Sequence, residues 1–164
     1  MNEMSALGVV FNEGKHPNGK IRYRRPFLNG KKHGLSEGWY EDGQKEYENQ
    51  YLNGNKHGLS KDWHQNGQLA YQTNWLNDQR HGLSEIWSFD GQLESRNNYM
   101  NHQQHGLQQD WHDDGKLNQE YYLNGTNVSE EEFKKYLKSL GDSISSVLNL
   151  DEKALGLIIA GYSI

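Results

Sequence analysis

The feature that most constrains this chain is a repeat. His-Gly-Leu recurs at His33, His57, His81 and His105. A tryptophan stands six residues after each histidine, at Trp39, Trp63, Trp87 and Trp111, and a glycine four residues after each tryptophan, at Gly43, Gly67, Gly91 and Gly115. The period is 24 residues without drift, and Gly19 marks a degenerate copy 24 residues before Gly43. Self-similarity at a fixed period means stacked copies of one small unit, each burying its faces against its neighbours.

The unit is a hairpin. Each of those glycines closes a turn pair: Asn18-Gly19, Asp42-Gly43, Asn66-Gly67, Asp90-Gly91 and Asp114-Gly115. Glycine takes φ > 0 without steric cost, and such pairs between alternating segments are a strong hairpin signal. A two-residue turn would pair Gln65 with Gln68. A three-residue turn with a glycine bulge pairs His64 with Gln68 and sets Trp63 against Leu69. Only the second choice gathers Leu59, Trp63, Leu69, Tyr71 and Trp75 on one face, and a one-residue slip would move the whole set. The bulged turn is therefore expected, followed by a looser loop such as Asn53-Gly54-Asn55-Lys56-His57-Gly58. Stacked copies make a mainly β protein, a single-layer antiparallel meander of roughly ten strands. Its expected aromatic face carries Trp39, Trp63, Trp87 and Trp111 in one row and Phe27, Tyr51, Trp75 and Tyr99 in another. Ser36, Ser60, Ser84, Gln44, Gln68 and Glu46 make the expected polar face.

Tyr51-x-Asn53-Gly54-x-Lys56-His57-Gly58, followed by Trp63 and Asn66-Gly67, resembles the MORN repeat, in its bacterial and phage variant often labelled antitoxin-like. The resemblance covers residues 17 to 125 and departs from the pattern at Asn77-Asp78 and Asn101-His102, where the loop glycine is missing and a different loop shape is expected. It implies protein–protein scaffolding, with a lipid-binding role also ascribed to the family. The label suggests neutralisation of a toxin or another effector.

The chain divides into a repeat array over 1–127 and a helical segment over 128–164. Ser129 and Glu132 form a capping box, and Phe133, Tyr136, Leu137 and Leu140 make one helical stripe expected to stop at Gly141. Ile144, Val147 and Leu148 suggest a second short helix, and Glu152 to Ala160 a third. This apolar tail reads either as a cap on the sheet or as an oligomer or partner contact; the sheet edge is the other route to a homo-oligomer. Near the N-terminus runs a basic stretch, Lys15, Lys20, Arg22, Arg24, Arg25, Lys31 and Lys32, with no acid inside it. Either it protects an edge from strand addition, or Lys20, Arg22, Arg24 and Arg25 form a docking patch for an acidic partner or lipid headgroups. The net charge of −5 argues against nucleic acid, whose binding rests on cation–phosphate contacts.

Apolar residues make up 33% of the chain, enough for a modest core. There is no cysteine, hence no disulfide framework and no thiol chemistry. Met1 to Val10 is too short and too weakly apolar for a signal peptide, and no stretch is long enough to span a membrane. The expected location is the cytoplasm. His33, His57, His81 and His105 form a column, but equivalent residues two strands apart lie roughly 9–10 Å from each other, too far to converge on zinc. They are expected to shape loops, bonding backbone or stacking on rings. No catalytic constellation interrupts the repeat, and no glycine loop is free to hold phosphate. The expectation is thus no catalytic residue, no cofactor and no metal. A protein partner is expected on the aromatic face, through Trp39, Trp63, Trp75, Trp87, Trp111, Tyr51 and Tyr99. The alternatives are a peripheral lipid binder through the basic patch, and an enzyme or enzyme subunit.

Overall fold

The computed structural model describes the backbone over 8–148 and side chains over 8–143. The hairpins build one 13-stranded antiparallel sheet. In chain order its strands are β1 (Val9–Lys15), β2 (Ile21–Leu28), β3 (Lys31–Lys32), β4 (Gly34–Trp39), β5 (Lys45–Leu52), β6 (Asn55–Trp63) and β7 (Leu69–Leu76). There follow β8 (Gln79–Trp87), β9 (Leu93–Met100), β10 (Gln103–Gln104), β11 (Gly106–Trp111), β12 (Leu117–Leu123) and β13 (Thr126–Val128), and then one helix, α1 (Glu130–Leu148). Strands lie side by side in chain order, with β3 and β10 as short pieces pairing β2 and β9.

At one end of the sheet the turns are as the glycine spacing predicts. The His64 N–H donates to the Gln68 carbonyl and the Gly67 N–H to the His64 carbonyl, both at 2.9 Å, with Gly67 at φ +84°. Trp63 opposes Leu69, but Asp62 opposes Tyr71, so Ala70 is an unpaired bulge. Arg22, Glu46 and Glu94 occupy the same position in the other hairpins. An extra residue reverses the alternation beyond it. The expected single aromatic face is therefore corrected. Trp39, Trp63, Trp87 and Trp111 share one face with Leu35, Leu59, Leu83 and Leu107. Phe27, Tyr51, Trp75 and Tyr99 lie on the other, together with Tyr71, Ser36, Ser60 and Ser84. The last hairpin has no such bulge: Trp111 opposes Leu117 and Asp110 opposes Asn118. The chain is one residue shorter there, and Leu123-Asn124-Gly125 comes one residue early with the register intact.

The opposite end also departs from expectation. The connections are tight two-residue turns, not loose loops. Both central residues have positive φ, as a type I′ turn requires: Asn53 and Gly54 at 53° and 102°, Asn77 and Asp78 at 50° and 64°, Asn101 and His102 at 50° and 71°. The two copies without glycine keep the same shape, because their new side chains gain partners. The Asp78 carboxylate accepts the Lys56 N–H at 2.7 Å, and the His102 ring accepts the Arg80 N–H at 3.4 Å. His-Gly forms a second irregularity. β6 runs from Lys56 to Ser60 while β5 runs only from Tyr51 to Asn49, so His57 and Gly58 are extra residues, with Gly58 at φ +92°. A side chain there would be strained, which explains glycine at every copy.

Loops interlock from repeat to repeat at both ends. His16, Tyr40 and His64 donate from their side chains to the carbonyls of Trp39, Trp63 and Trp87, at 2.7, 2.5 and 3.0 Å. On the other side the N–H groups of Gly54, Asp78, His102 and Gly125 donate to the carbonyls of Lys32, Lys56, Arg80 and Gln104.

The capping box forms: the Glu132 carboxylate accepts the Ser129 N–H at 2.9 Å, and the Ser129 hydroxyl accepts the Glu132 N–H at 3.2 Å. The helix does not stop at Gly141; it runs without a break to Leu148, so the expected second helix is its continuation. An interior glycine costs helix stability only about 1 kcal/mol relative to alanine, too little to end a helix whose flanks still favour it. The expected third helix lies outside the described residues. Phe133, the one buried hydrophobic side chain among the described residues, is 7% exposed. Its ring lies 5.3 Å from that of Tyr121, and Tyr136 meets His105 edge-on at 5.8 Å. Tyr121 faces Leu107 on the tryptophan face, so α1 packs against the last strands there. The slots equivalent to Tyr121 in earlier hairpins hold Gln50, Asn74 and Asn98. An aromatic occurs in this row where the helix docks.

Candidate protein-docking surface

Each face has three rows running across the strands. On the face opposite the tryptophans the central row includes Asn49, Ser60, Thr73, Ser84 and Asn97, each opposite the next. Ser60 is 1% exposed and Thr73 0%. Among the described residues no second layer lies on this face, and aromatic side chains of the same face flank the row. Tyr47 leans across Gly38, where a Cβ would come within 2.1 Å of its ring, and its hydroxyl accepts from Arg25. Asp62 occupies the slot equivalent to Gly38 and prevents the same lean by Tyr71, whose hydroxyl instead accepts from Ser84 at 3.3 Å. Ser36, Ser60 and Thr73 are left with buried hydroxyls that have no hydrogen-bond partner among the described residues. Burial raises the pKa of Asp62, with Lys56 opposing and Glu46 adding to the rise.

The outer row of this face is stapled between repeats. Lys32 lies over Tyr51 at 4.7 Å, Lys56 over Trp75 at 4.7 Å and Arg80 over Tyr99 at 3.9 Å. Three of the expected docking aromatics are thus engaged within the protein by cation–π contacts.

On the tryptophan face the central row is charged and polar: Arg24, Glu37, Glu48, Lys61, Gln72, Glu85, Arg96 and Gln109 oppose one another in sequence. It is partly self-neutralised, with Arg96 on Glu85 at 2.8 Å and Lys45 between Glu37 and Glu48 at 2.6 and 3.1 Å. Burial disfavours the Lys45 charge, but hydrogen bonds and attraction from both carboxylates outweigh it and its pKa rises. Lys45 also covers Trp39, at 4.5 Å. The slots equivalent to Lys45 in later hairpins hold Leu69, Leu93 and Leu117, opposite Trp63, Trp87 and Trp111. Among the described residues these three tryptophans have neither a cation nor another ring against them. Phe89, 61% exposed, stands at the same end of the sheet against His64.

The basic residues are not brought together as one patch. Lys20 reaches the Asp42 carbonyl at 2.5 Å, Arg24 pairs Glu13 at 2.5 Å on the tryptophan face, and Arg25 lies over Tyr23 on the other face. Arg22 is the bulge residue of its hairpin. The histidine column sits in the His-Gly irregularities. The His105 ring accepts the Asn124 N–H at 3.2 Å, and burial lowers its pKa. His57 Nδ1 lies 3.4 Å from the Asn77 side-chain oxygen. Among the described residues no group of three or more His, Cys, Asp or Glu is placed to hold a metal ion, and no helix is long and apolar enough to cross a membrane.

No curated protein matches the chain. The family model described as the MORN repeat variant matches four times, over 32–53, 56–77, 80–101 and 104–124. The last match is the shortest, in the hairpin that lacks the bulge. Matches that together span more than half of the residues, each covering one turn-and-strand unit, show that the chain belongs to the MORN repeat variant family.

Proposed function

We propose that this protein is a non-enzymatic interaction module that docks another protein on the strip formed by Trp63, Leu69, Trp87, Leu93, Trp111 and Leu117. MORN repeats are in general protein- or membrane-interaction modules and non-catalytic. The observation that carries the reading is the contrast between engaged and free rings. Tyr51, Trp75, Tyr99 and Trp39 hold cations of their own chain, whereas Trp63, Trp87 and Trp111 face leucines and have no cation or ring partner among the described residues. Tryptophans in such strips are the residues that dominate binding energy at interfaces. The dispersal of Lys20, Arg22, Arg24 and Arg25 favours a protein over a lipid surface. Neutralising or scaffolding that partner is the role this reading assigns.

The test is a pull-down from the native host with three folded variants: Trp63→Ala, Trp87→Ala, and Lys20, Arg22 and Arg24 changed together to Ser. The tryptophan variants are expected to lose the wild-type partner, at about 2 kcal/mol or more per residue, and the basic variant to keep it. Retention of every partner by both tryptophan variants overturns the reading. Loss of liposome binding in the basic variant alone would establish the lipid alternative.

A further inference from the structure

The ladder of loop contacts fails at one place. The first three loops each reach the next through a side chain, His16, Tyr40 or His64, and Asn18 and Asn66 add bonds to the carbonyls of Glu41 and Phe89. In the fourth loop these positions hold Ser88 and Asp90. Serine is shorter than histidine or tyrosine, and an ionised aspartate cannot donate to a carbonyl. Both are spent within their own loop: the Ser88 hydroxyl donates to the Asp90 carboxylate, which also accepts from Gln92 at 2.9 Å. The Ser88 hydrogen bond holds the Asp90 carboxyl below its ordinary pKa.

A gap of about 250 Å³ opens between this loop and the next. Trp111 and Leu93 line it as apolar groups, and Asp90, Glu94, His112 and Asp113 line it as polar ones. Glu94 and Asp113 have no hydrogen bond or ion pair among the described residues. The nearby cation Lys116 is held by Asp114 at 2.6 Å. The site therefore has an aromatic ring, carboxylates and the His112 imidazole, and no lysine or arginine among the described residues lines it. The same protein shows the completed arrangement at Trp39, where Lys45 lies on the ring between two glutamates. The slot equivalent to Lys45 is Leu117 at Trp111, so the position that supplies the cation at Trp39 is apolar here.

We infer that this gap receives one lysine or arginine side chain of the partner that docks on the adjoining tryptophan strip, an inference that rests on that docking. The aliphatic stem lies along Trp111 and Leu93 and the charged head among Asp90, Glu94 and Asp113. The volume lies below the range of ordinary small-molecule pockets, about 300–1,000 Å³, and suits a single side chain rather than a cofactor. Burial of a cation against tryptophan strengthens the attraction.

The experiment is a two-dimensional NMR titration of the labelled full chain with N-acetyl-lysine methylamide, using N-acetyl-norleucine methylamide as the neutral control. The lysine compound is expected to shift the Trp111 indole signal saturably at millimolar concentration, and the norleucine compound to leave it in place. Glu94→Gln combined with Asp113→Asn should abolish the shift. Ser88→His, which restores the missing loop contact and fills the gap, should also abolish it while raising the melting temperature. Equal shifts with both compounds, no shift, or a shift unchanged in the double variant overturns the inference. Trp63→Ala disables the strip without touching the gap and is expected to keep the shift. Failure of docking and failure of the cation site are therefore separately visible.

Discussion

Trp63 and Trp75 project from opposite faces of one sheet because Ala70, between them, pairs with nothing. Leu69 stands beside Trp63, and Tyr71, one residue beyond the bulge, stands beside Asp62 on the far face. The final hairpin does without this residue and keeps its cross-strand pairs.

Deletion of Ala70 should therefore be tolerated, with a loss of about 1 kcal/mol or less, the scale of an ordinary surface change. Deletion of Gln72 should instead shift the register of every pair beyond it and unfold the array. Thermal melts followed by circular dichroism distinguish the two. Equal damage from both would mean that the bulge is a required bend rather than a spare residue.

The buried hydroxyl of Thr73 has no partner among the described residues and is fully enclosed. An unsatisfied buried donor costs about 1–3 kcal/mol, whereas an apolar group of the same shape carries no such penalty. Thr73→Val is expected to stabilise the protein by about 1–2 kcal/mol, read as a higher urea midpoint at unchanged slope. A destabilised variant would point to a bound water or ligand on that hydroxyl.

Asp62 supplies a pH dependence. Burial raises its pKa above the ordinary 3.8, so the folded chain holds the proton more tightly than the unfolded chain. Stability from this group is greatest below 3.8, falls as pH rises through the interval up to the raised folded value, and stays lower above it. Asp62→Asn removes the charge. It should melt higher than wild type at neutral pH, with the advantage shrinking as the pH falls from the raised folded value towards 3.8 and levelling off below it. A constant difference at all pH values would sink the argument.

Phe133→Ala should detach α1 from Tyr121. Truncating a buried Phe costs about 3–5 kcal/mol in a full core, and the lower end is expected here because the helix packs on one face only. The helical signal should then melt before the strand signal, breaking the coincidence expected of a single cooperative unit. Coincident melting at an unchanged temperature would show that the helix is held by something other than Phe133.

The sequence by itself determined the period, the hairpin turns and the capped helix, because those depend on local chemistry. Asn-Gly and Asp-Gly fix a turn within a few residues, and Ser129 with Glu132 fixes a helix start. Which face a side chain occupies is not local. An alanine or glutamate in a strand looks the same whether it pairs or bulges, so the positions of Trp75 and Tyr51 were decided by the neighbouring strand. The one trace was the early arrival of Leu123-Asn124-Gly125, where the missing bulge shortens the repeat. Asn77-Asp78 and Asn101-His102 looked like altered loops for the same reason: the Lys56 and Arg80 N–H groups that reward Asp78 and His102 come from the preceding repeat. Nor is the division between engaged and free tryptophans carried by the residue type. It depends on whether the slot across from the ring holds Lys45 or a leucine, and only the packed sheet brings that slot to the ring.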